Sequence, residues 1–436
     1  MKEITNRRVL TIAGPIVLSN ATVPLLGLVD TYAVGQLGEA EPIGAVALGA
    51  IILSGVYWIF GFLRMGTTGL VAQATGRGDV PERDAHLSRA LMIALAGGLG
   101  LIALQWPIAQ LALTIAPASA DVEELTRAYL FTRIWGAPFA IAVYALTGWL
   151  IAQERTGGVL VVQMGMNLTN IVLSLWFVLG LDMGVTGVAV ATVIGEVLGA
   201  ALGLWFCREV FRAPHWRDRA RLQNAAVLRD MLSVNSDIMI RSVLLQLCFI
   251  SVTFSASGLS DVTLAANQIL LQFFYLTAYA LDGFAFAAEA IVGTAFGAGD
   301  RARLRRGARL TSLWGLGSVV VVAVIFAVFG SAMIGEMTTA VPVQEEARNY
   351  LGWMVLAPIV GLPAFMLDGI FIGATRTKDM RNMMILSSAL YAVSLVVLLP
   401  LFGNHGLWAA LMVFFISRGI TLGLRYPALE AAAVRT

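Results

Sequence analysis

Charged residues are scarce in this chain. They make up 13% of its 436 residues, whereas hydrophobic residues make up 58% and the mean hydropathy is +0.81. A soluble domain carries roughly a quarter of its residues as charges, so a soluble fold is excluded. Cysteine and histidine are also rare, with two and three residues, and the histidines fall in predicted loops far apart in the sequence. Neither a disulfide framework nor a metal site is therefore expected.

Long apolar runs recur along the whole chain. They include stretches of roughly 20 apolar residues, the length that crosses a hydrocarbon core of ~30 Å. The twelve helices predicted from these runs cover residues 9–36, 43–75, 89–114, 128–152, 158–180, 184–207, 232–257, 262–297, 309–334, 349–374, 382–402 and 405–425. We predict an all-α membrane protein with twelve transmembrane helices in two pseudo-symmetric six-helix bundles. The bundles are expected at residues 1–215 and 232–436, joined by a basic cytoplasmic linker at 216–231.

The charges alternate between the loops of this scheme. Basic residues crowd into every second loop, while the loops between them hold mainly acids such as Glu39, Asp121 and Asp261. The positive-inside rule then places the basic loops and both termini in the cytoplasm. We expect a multi-pass protein of a bacterial inner membrane with an even number of spans.

The two halves resemble each other in sequence. Residues 74–79 read ATGRGD and residues 295–300, about 221 positions later, read AFGAGD. Further matches at nearly the same separation are Gly148–Thr156 with Gly369–Thr377, and Gly184 and Gly187 with Gly403 and Gly406. Because each half has an even number of spans, both enter the membrane from the same face and form a parallel repeat, as in transporters that work by alternating access.

A carboxylate lies within the first predicted helix. Asp30 follows Pro24 by six residues in the apolar stretch PLLGLVDTYAVG. An ionised side chain at the bilayer centre costs about 3 kcal/mol on insertion scales, so an intramembrane acid is a candidate functional residue. The alternative is an interfacial Asp that reaches headgroups or a neighbouring helix.

Polar residues on the fifth and sixth predicted helices could join Asp30. Asn167, Asn170 and Ser174 are spaced by three and four residues and share one helix face. Thr192 lies on the next helix. These side chains are expected to line a polar pocket in the first half, or alternatively to form hydrogen bonds that hold the bundle together.

The second half has its own intramembrane acids. Asp282 and Glu289 are seven residues apart and return to nearly the same face of the eighth helix, so they could bind protons or a cationic substrate. Asp368 in the tenth helix and Glu196 in the sixth are further candidates.

Basic residues also occur in the apolar runs. Arg64, Arg133 and Arg418 are expected to be buried or interfacial cations. Asp237 and Arg241 have i,i+4 spacing, which predicts an ion pair within one helix.

With these residues in place, the chain resembles the multidrug and toxic compound extrusion (MATE) family, and in particular its DinF (DNA-damage-inducible) branch. The stretches that carry the resemblance are NSDIMIRSVLLQLCF from Asn235, TAYALDGFAFAAEA from Thr277, LDGIFIGATRTKDMRN from Leu367 and GNHGLWAALMVFFISRG from Gly403. The resemblance implies two six-helix lobes in a V shape that export varied, often cationic, drugs against inward flow of protons or sodium.

The resemblance also assigns residues. It implies that Asp30 is the family's carboxylate in helix 1, that Pro15 is the bending proline, and that Asn170 and Thr192 are its polar partners. Where family members often have an aspartate one turn beyond that asparagine, this chain has Ser174. Sodium prefers several hard oxygen ligands with negative charge, so this replacement favours protons.

We therefore expect a secondary multidrug exporter that exchanges lipophilic, cationic organic compounds for protons, with hinges at Pro15 or Pro24. No cofactor is expected beyond the coupling ion, and the partners are small organic substrates and membrane lipids, with no nucleic acid, in a monomer. The alternatives are sodium-coupled drug antiport and a lipid or lipid-linked oligosaccharide flippase of the same superfamily. A membrane-embedded enzyme would need a catalytic cluster within the spans, and a receptor role would not explain the repeat.

Overall fold

The structure, a computed structural model, describes residues 3–116 and 118–433, and all regular structure in that part of the chain is helical. Its membrane segments are named α1 to α12. Their bounds are Asn6–Asn20 with Val23–Gly35 (α1), Ala40–Arg77 (α2), Val80–Ala103 (α3), Ala120–Ala152 (α4), Thr156–Gly180 (α5), Gly184–Phe206 (α6), Ala225–Ser257 (α7), Asp261–Gly297 (α8), Arg301–Met337 (α9), Val341–Gly373 (α10), Thr377–Phe402 (α11) and Asn404–Ala432 (α12). The predicted all-α membrane fold is confirmed.

Segment α1 is divided. Eleven of the described helices are long and apolar enough to cross a membrane, and the two parts of α1, with 15 and 13 residues, form the twelfth segment only together. Pro24 lies in the first turn of the second part, where a missing N–H removes no helical hydrogen bond. Pro15 lies inside the first part and leaves one carbonyl there without its usual donor. The interruption therefore falls at residues 21–22, between the two prolines.

Several helices are longer than the apolar runs predict. Segment α9 begins at Arg301 rather than at residue 309, and α7 begins at Ala225 rather than at residue 232. The side chain of Asp300 accepts a hydrogen bond from the backbone N–H of Arg303 at 3.0 Å and caps α9 among charged residues. Hydropathy locates only the part of a helix that lies in lipid, so it misses such polar first turns.

All three histidines lie in helical segments, His215 in the short 3-10 helix Pro214–Arg217, although the sequence places them in loops. His86 is buried in α3, and His405 lies in α12, where it accepts a hydrogen bond from Trp353 at 3.1 Å. Across residues 3–116 and 118–433, no group of three or more His, Cys, Asp or Glu side chains could hold a metal ion.

The chain forms two compact units. The first-half unit contains Leu18–Val71 and Asp79–Leu228, and the second-half unit contains the described parts of Met1–Val17, Ala72–Gly78 and Arg229–Thr436. The chain passes between them at residues 228 and 229, within the predicted basic linker, and also inside α1 and at both ends of the short segment 72–78. Whether 1–215 and 232–436 are functional lobes stays a prediction.

The repeat seen in the sequence is present in the backbone geometry. Gly78 and Gly299, at matching positions, both have left-handed backbones, with φ of +75° and +68°. The aspartate that follows each glycine caps the next helix, since Asp79, like Asp300, accepts a backbone N–H bond at 3.0 Å. A left-handed residue also follows α4 at Glu154 and α10 at Thr375, again 221 positions apart. Equivalent turns join equivalent helices in the two halves.

Candidate functional site

The first-half unit brings the predicted polar residues of α1 and α5 into contact. Asp30 is half-buried on the second part of α1, and the fully buried hydroxyl of Ser174 on α5 donates a hydrogen bond to its Oδ1 at 2.9 Å. In the described part of the chain, no Lys or Arg nitrogen lies within 4 Å of the Asp30 carboxylate. Asp30 is thus a carboxylate with a neutral donor and no ion-pair partner.

Asn170 pairs with α6 instead of with Asp30. Its Nδ2 donates to Thr192 Oγ1 at 2.7 Å, and Thr192 in turn donates to the backbone oxygen of Val188 at 2.9 Å. The residue of α5 that bonds to Asp30 is Ser174, one helical turn beyond Asn170, the partner that the resemblance implies. The amide oxygen of Asn170 is buried and accepts no hydrogen bond in the structure.

Asn167 is bonded to the interruption of α1. Its Nδ2 donates to Thr22 Oγ1 at 2.8 Å, and that hydroxyl donates to the carbonyl oxygen of Ser19 at 2.7 Å. One face of α5 therefore bonds to α1 at two points. Asn167 bonds to the interruption at residues 21–22, and Ser174 bonds to the carboxylate of Asp30.

A buried ion pair lies in the same unit. Arg133 at the centre of α4 lies 3.5 Å from Glu196 on α6, and Arg133 donates to Tyr129 Oη at 3.2 Å. Tyr57 on α2 donates to the backbone oxygen of Arg133 at 3.3 Å. Arg133 is also close enough to Asp30 to interact with it electrostatically. The sequence identified Arg133 and Glu196 separately, as charged residues in apolar runs. It did not predict that the two would form a pair.

The second half lacks a copy of the Asp30 site. At the repeat separation of 221 residues, the counterparts of Asp30 and Asn170 are Ser251 and Tyr391. Their hydroxyl oxygens are hydrogen-bonded at 2.8 Å, and both groups also bond to the backbone oxygen of Cys248. The equivalent position is therefore polar but uncharged, so the carboxylate belongs to one half only.

The two acids of α8 lie in the second-half unit. Glu289 is 1% exposed and Asp282 is half-buried. The helix packs closely around them: a Cβ on Gly283 would come within 2.8 Å of the backbone oxygen of Ala13, and the backbone of Glu289 abuts Gly373 on α10. The Glu289 side chain is therefore buried in the helical packing of its unit, whereas Asp282 keeps partial exposure.

Asp368 on α10 is paired with two arginines from other helices. Its Oδ2 accepts hydrogen bonds from Arg241 on α7 and from Arg418 on α12, the latter at 2.5 Å. Asp368, one of the candidates from the sequence, is therefore neutralised by arginines of its own unit.

The ion pair predicted between Asp237 and Arg241 within α7 is wrong. Asp237 accepts hydrogen bonds from Thr377 at 3.0 Å and from Arg381 at 2.6 Å, both on α11. Arg241 donates a hydrogen bond to Asp368 on α10 instead. Asp237 and Asp368 thus each take their partners from neighbouring helices, and each carboxylate accepts hydrogen bonds from two donors.

The MatE family model matches the chain twice, over residues 15–176 and 238–398. The two matches together cover more than half of the chain, and they begin and end at nearly the separation of the internal repeat. The family model thus recognises each half independently.

Individual relatives match over almost the whole length. The chain is 38% identical to the DNA damage-inducible protein F of Escherichia coli over 426 residues, which cover 94% of this chain and 90% of that protein. It is 27% identical over 423 residues to the probable multidrug resistance protein NorM of Rhizobium meliloti, covering 91% and 88%. The solved structure of the Vibrio cholerae MATE transporter VcmN in the bent form is 19% identical, with a TM-score of 0.88 over 98% of this chain and 97% of that one. At this identity the likeness concerns the fold.

Proposed function

The chain belongs to the MatE family of multidrug and toxic compound extrusion transporters, and we propose that it exports lipophilic, cationic organic compounds in exchange for protons by alternating access. As a member of that family it is a transporter and not an enzyme. The observation that carries the proton assignment is the hydrogen bond from Ser174 to Asp30, whose carboxylate has no Lys or Arg nitrogen within 4 Å among the described residues.

The contacts of Asp30 explain how a proton would act. The ionised carboxylate accepts the hydroxyl proton of Ser174. When Asp30 is protonated it becomes a weaker acceptor, which weakens this hydrogen bond, and its new O–H group needs an acceptor of its own. Because α5 also holds Thr22 through Asn167, a change at Asp30 is coupled to the interruption at residues 21–22, where α1 can bend. Pro15 and Pro24, on either side, are the proposed hinges.

Proton entry supplies enough free energy for concentrative export. One charge that crosses a potential of 100 mV releases ~2.3 kcal/mol. That free energy corresponds to roughly fiftyfold accumulation per proton of a neutral substrate before any pH difference is counted. A monovalent cation that leaves in exchange for one proton carries the same charge outward, so its concentrative export draws on the pH difference or on a second proton.

Asp282 and Glu289 are the proposed second site, which binds the cationic group of the substrate or a further proton. Two carboxylates on α8, one of them almost fully buried, form an environment that favours a positive partner. We further propose that the chain lies in the bacterial inner membrane with its basic loops and both termini in the cytoplasm, as the distribution of charges favours.

Sodium-coupled exchange is the second candidate, because the family resemblance implies either ion. Ser174 supports protons, since a neutral hydroxyl oxygen stands where the resemblance leads us to expect a carboxylate ligand.

Efflux of a fluorescent cationic dye from proteoliposomes tests the proposal. Wild type should move dye when a pH gradient is imposed, Asp30→Asn should lose this gradient-driven movement, and a sodium gradient alone should drive neither. Asp182→Asn, at an exposed turn residue between α5 and α6, is the matched control and should behave like wild type. Unchanged proton-driven efflux by Asp30→Asn would refute the assignment.

A further inference from the structure

Three charges are buried together in the second-half unit. Arg241, Asp368 and Arg418 are 6%, 5% and 2% exposed, and they come from α7, α10 and α12. Asp368 is the only described carboxylate within 4 Å of either arginine. The charged groups that act most strongly on Arg418 are likewise Asp368 and Arg241. The cluster therefore contains two cations and one anion.

A structural ion pair does not require this stoichiometry. One arginine would neutralise Asp368, whereas the second adds a buried positive charge that membrane insertion penalises. The first half shows that the fold does not need the cluster at all. At the repeat separations of 221 and 219 residues, the counterparts of Arg241, Asp368 and Arg418 are Asn20, Thr147 and Gly199. Equivalent helices thus pack without any charge at these positions.

The cluster also has unused hydrogen-bonding groups. The Nε atoms of Arg241 and Arg418 and the Oδ1 atom of Asp368 are buried and have no hydrogen-bond partner in the structure. Both arginines contact Asp368 through its single Oδ2 atom, and Arg241 also donates to the hydroxyl of Ser242 at 3.5 Å. Two guanidinium groups with free N–H donors can bind an anionic group that has two or more oxygens.

Four phenylalanine rings lie beside the cluster or pack against one another next to it. The guanidinium group of Arg418 lies 5.3 Å and 5.7 Å from the ring centroids of Phe414 and Phe415. Phe415 stacks in turn on Phe274, with centroids 5.2 Å apart, and Phe249 packs against both. Charged groups and buried aromatic side chains therefore lie next to each other. This combination suits a molecule that has an anionic group on an apolar body.

We propose that Arg241 and Arg418 form a binding site for the anionic group, a carboxylate or a phosphate, of an amphiphilic organic molecule. When no ligand is bound, Asp368 is the counter-ion of the two arginines, and the anionic group of the ligand displaces it. The site extends the substrate range beyond the cations of the proposed function to amphiphiles with a net negative charge. It does not depend on Asp30, so the two proposals can fail separately.

A matched pair of probes tests the site in purified protein, in nanodiscs of phosphatidylcholine, at one pH and without any gradient. Dansylglycine carries a carboxylate on the same fluorophore as neutral dansylamide. Dansylglycine should bind the wild type and raise its unfolding temperature, whereas dansylamide should do neither. Equal binding of the two probes to wild type would overturn the proposal without any variant.

Substitutions then assign the binding to the cluster. Arg241→Gln leaves a neutral pair of Arg418 and Asp368, and it should weaken dansylglycine binding by about tenfold or more, the effect of losing a charge-assisted hydrogen bond. Asp368→Asn removes the competing counter-ion and should tighten binding. Arg305→Gln is the control, because Arg305 pairs with Glu430 in the same unit, outside the cluster. An unchanged dissociation constant for Arg241→Gln, in protein that unfolds like wild type, would overturn the assignment.

The source of the anion is decided by competition. If nanodiscs that contain phosphatidylglycerol suppress dansylglycine binding, the ligand is the headgroup of an anionic lipid. If they leave it unchanged, the ligand is a free organic anion. Asp30→Asn should bind dansylglycine as wild type does, even where its proton-driven dye efflux is lost.

Discussion

Gly76 and Gly297 occupy matching positions of the two halves, and each packs against the backbone just before the other. A Cβ on Gly76 would overlap the carbonyl oxygen of Thr294, and a Cβ on Gly297 would overlap the backbone of Gln73. Gln73 and Thr294 are themselves equivalent in the repeat. The ends of α2 and α8 thus cross in a reciprocal contact in which only glycine fits on either side.

This contact predicts that alanine at either glycine destabilises the protein. Gly76→Ala or Gly297→Ala should lower its stability by about 1–3 kcal/mol, because the added methyl group must push backbone apart rather than a flexible side chain. Thermal unfolding of purified protein in detergent measures the change. Gly317→Ala in α9, where an added Cβ meets no atom within 4 Å, is the control and should be neutral or slightly stabilising. Equal unfolding temperatures for all three variants would contradict the packing argument.

The choice of coupling ion should depend on Ser174. Ser174→Asp adds a second carboxylate beside Asp30, and two carboxylates with the oxygens of Asn170 and Thr192 are a better ligand set for sodium. We expect dye efflux by this variant to be stimulated by an imposed sodium gradient. Ser174→Ala removes the same hydroxyl without adding charge, so it should show no such stimulation. Sodium stimulation of both variants, or of wild type, would show that the side chain at 174 does not select the ion.

Arg133 and Glu196 should be strongly coupled in stability. Glu196→Gln leaves the buried guanidinium group without its counter-ion, so the loss should be on the order of 3 kcal/mol. The double variant with Arg133→Met, which carries the residue found at the equivalent position in the second half, Met354, should lose less than the sum of the two single variants. A double-mutant cycle from unfolding measurements gives the coupling, expected at about 0.5–3 kcal/mol. Strict additivity would mean that the pair does not interact.

Asp282 and Glu289 should determine the affinity for cationic dyes. Neutralising both, in the Asp282→Asn, Glu289→Gln variant, should weaken binding of a cationic dye and reduce the coupling of efflux to the pH gradient. Equilibrium dye binding and proteoliposome efflux measure the two effects. Asp261→Asn, at the exposed start of the same helix, is the matched control. Undiminished affinity together with undiminished coupling in the double variant would rule out both roles.

The predicted site residues show where sequence reasoning succeeds. The three-and-four spacing of Asn167, Asn170 and Ser174 correctly placed them on one face of α5, turned towards α1 and α6. It could not decide which of them bonds to Asp30, because a shift of one helical turn in the packing of α1 on α5 exchanges Asn170 for Ser174. That shift depends on how residues 21–22 of α1 pack against α5. The local sequence does not predict this packing.

The sequence by itself determined the membrane class, the positions of the helices, the repeat and the list of buried charges. Hydropathy, spacing and internal similarity are properties of short stretches, and lipid leaves the backbone little choice but helix. Only the tertiary structure decided which charges meet. Asp368 joins Arg241 and Arg418 across 127 and 50 residues of chain, and Asp237 turns away from the arginine one turn along its own helix. A buried charge takes its partner from whichever helix the packing places beside it, and that packing follows from the fit of many side chains at once.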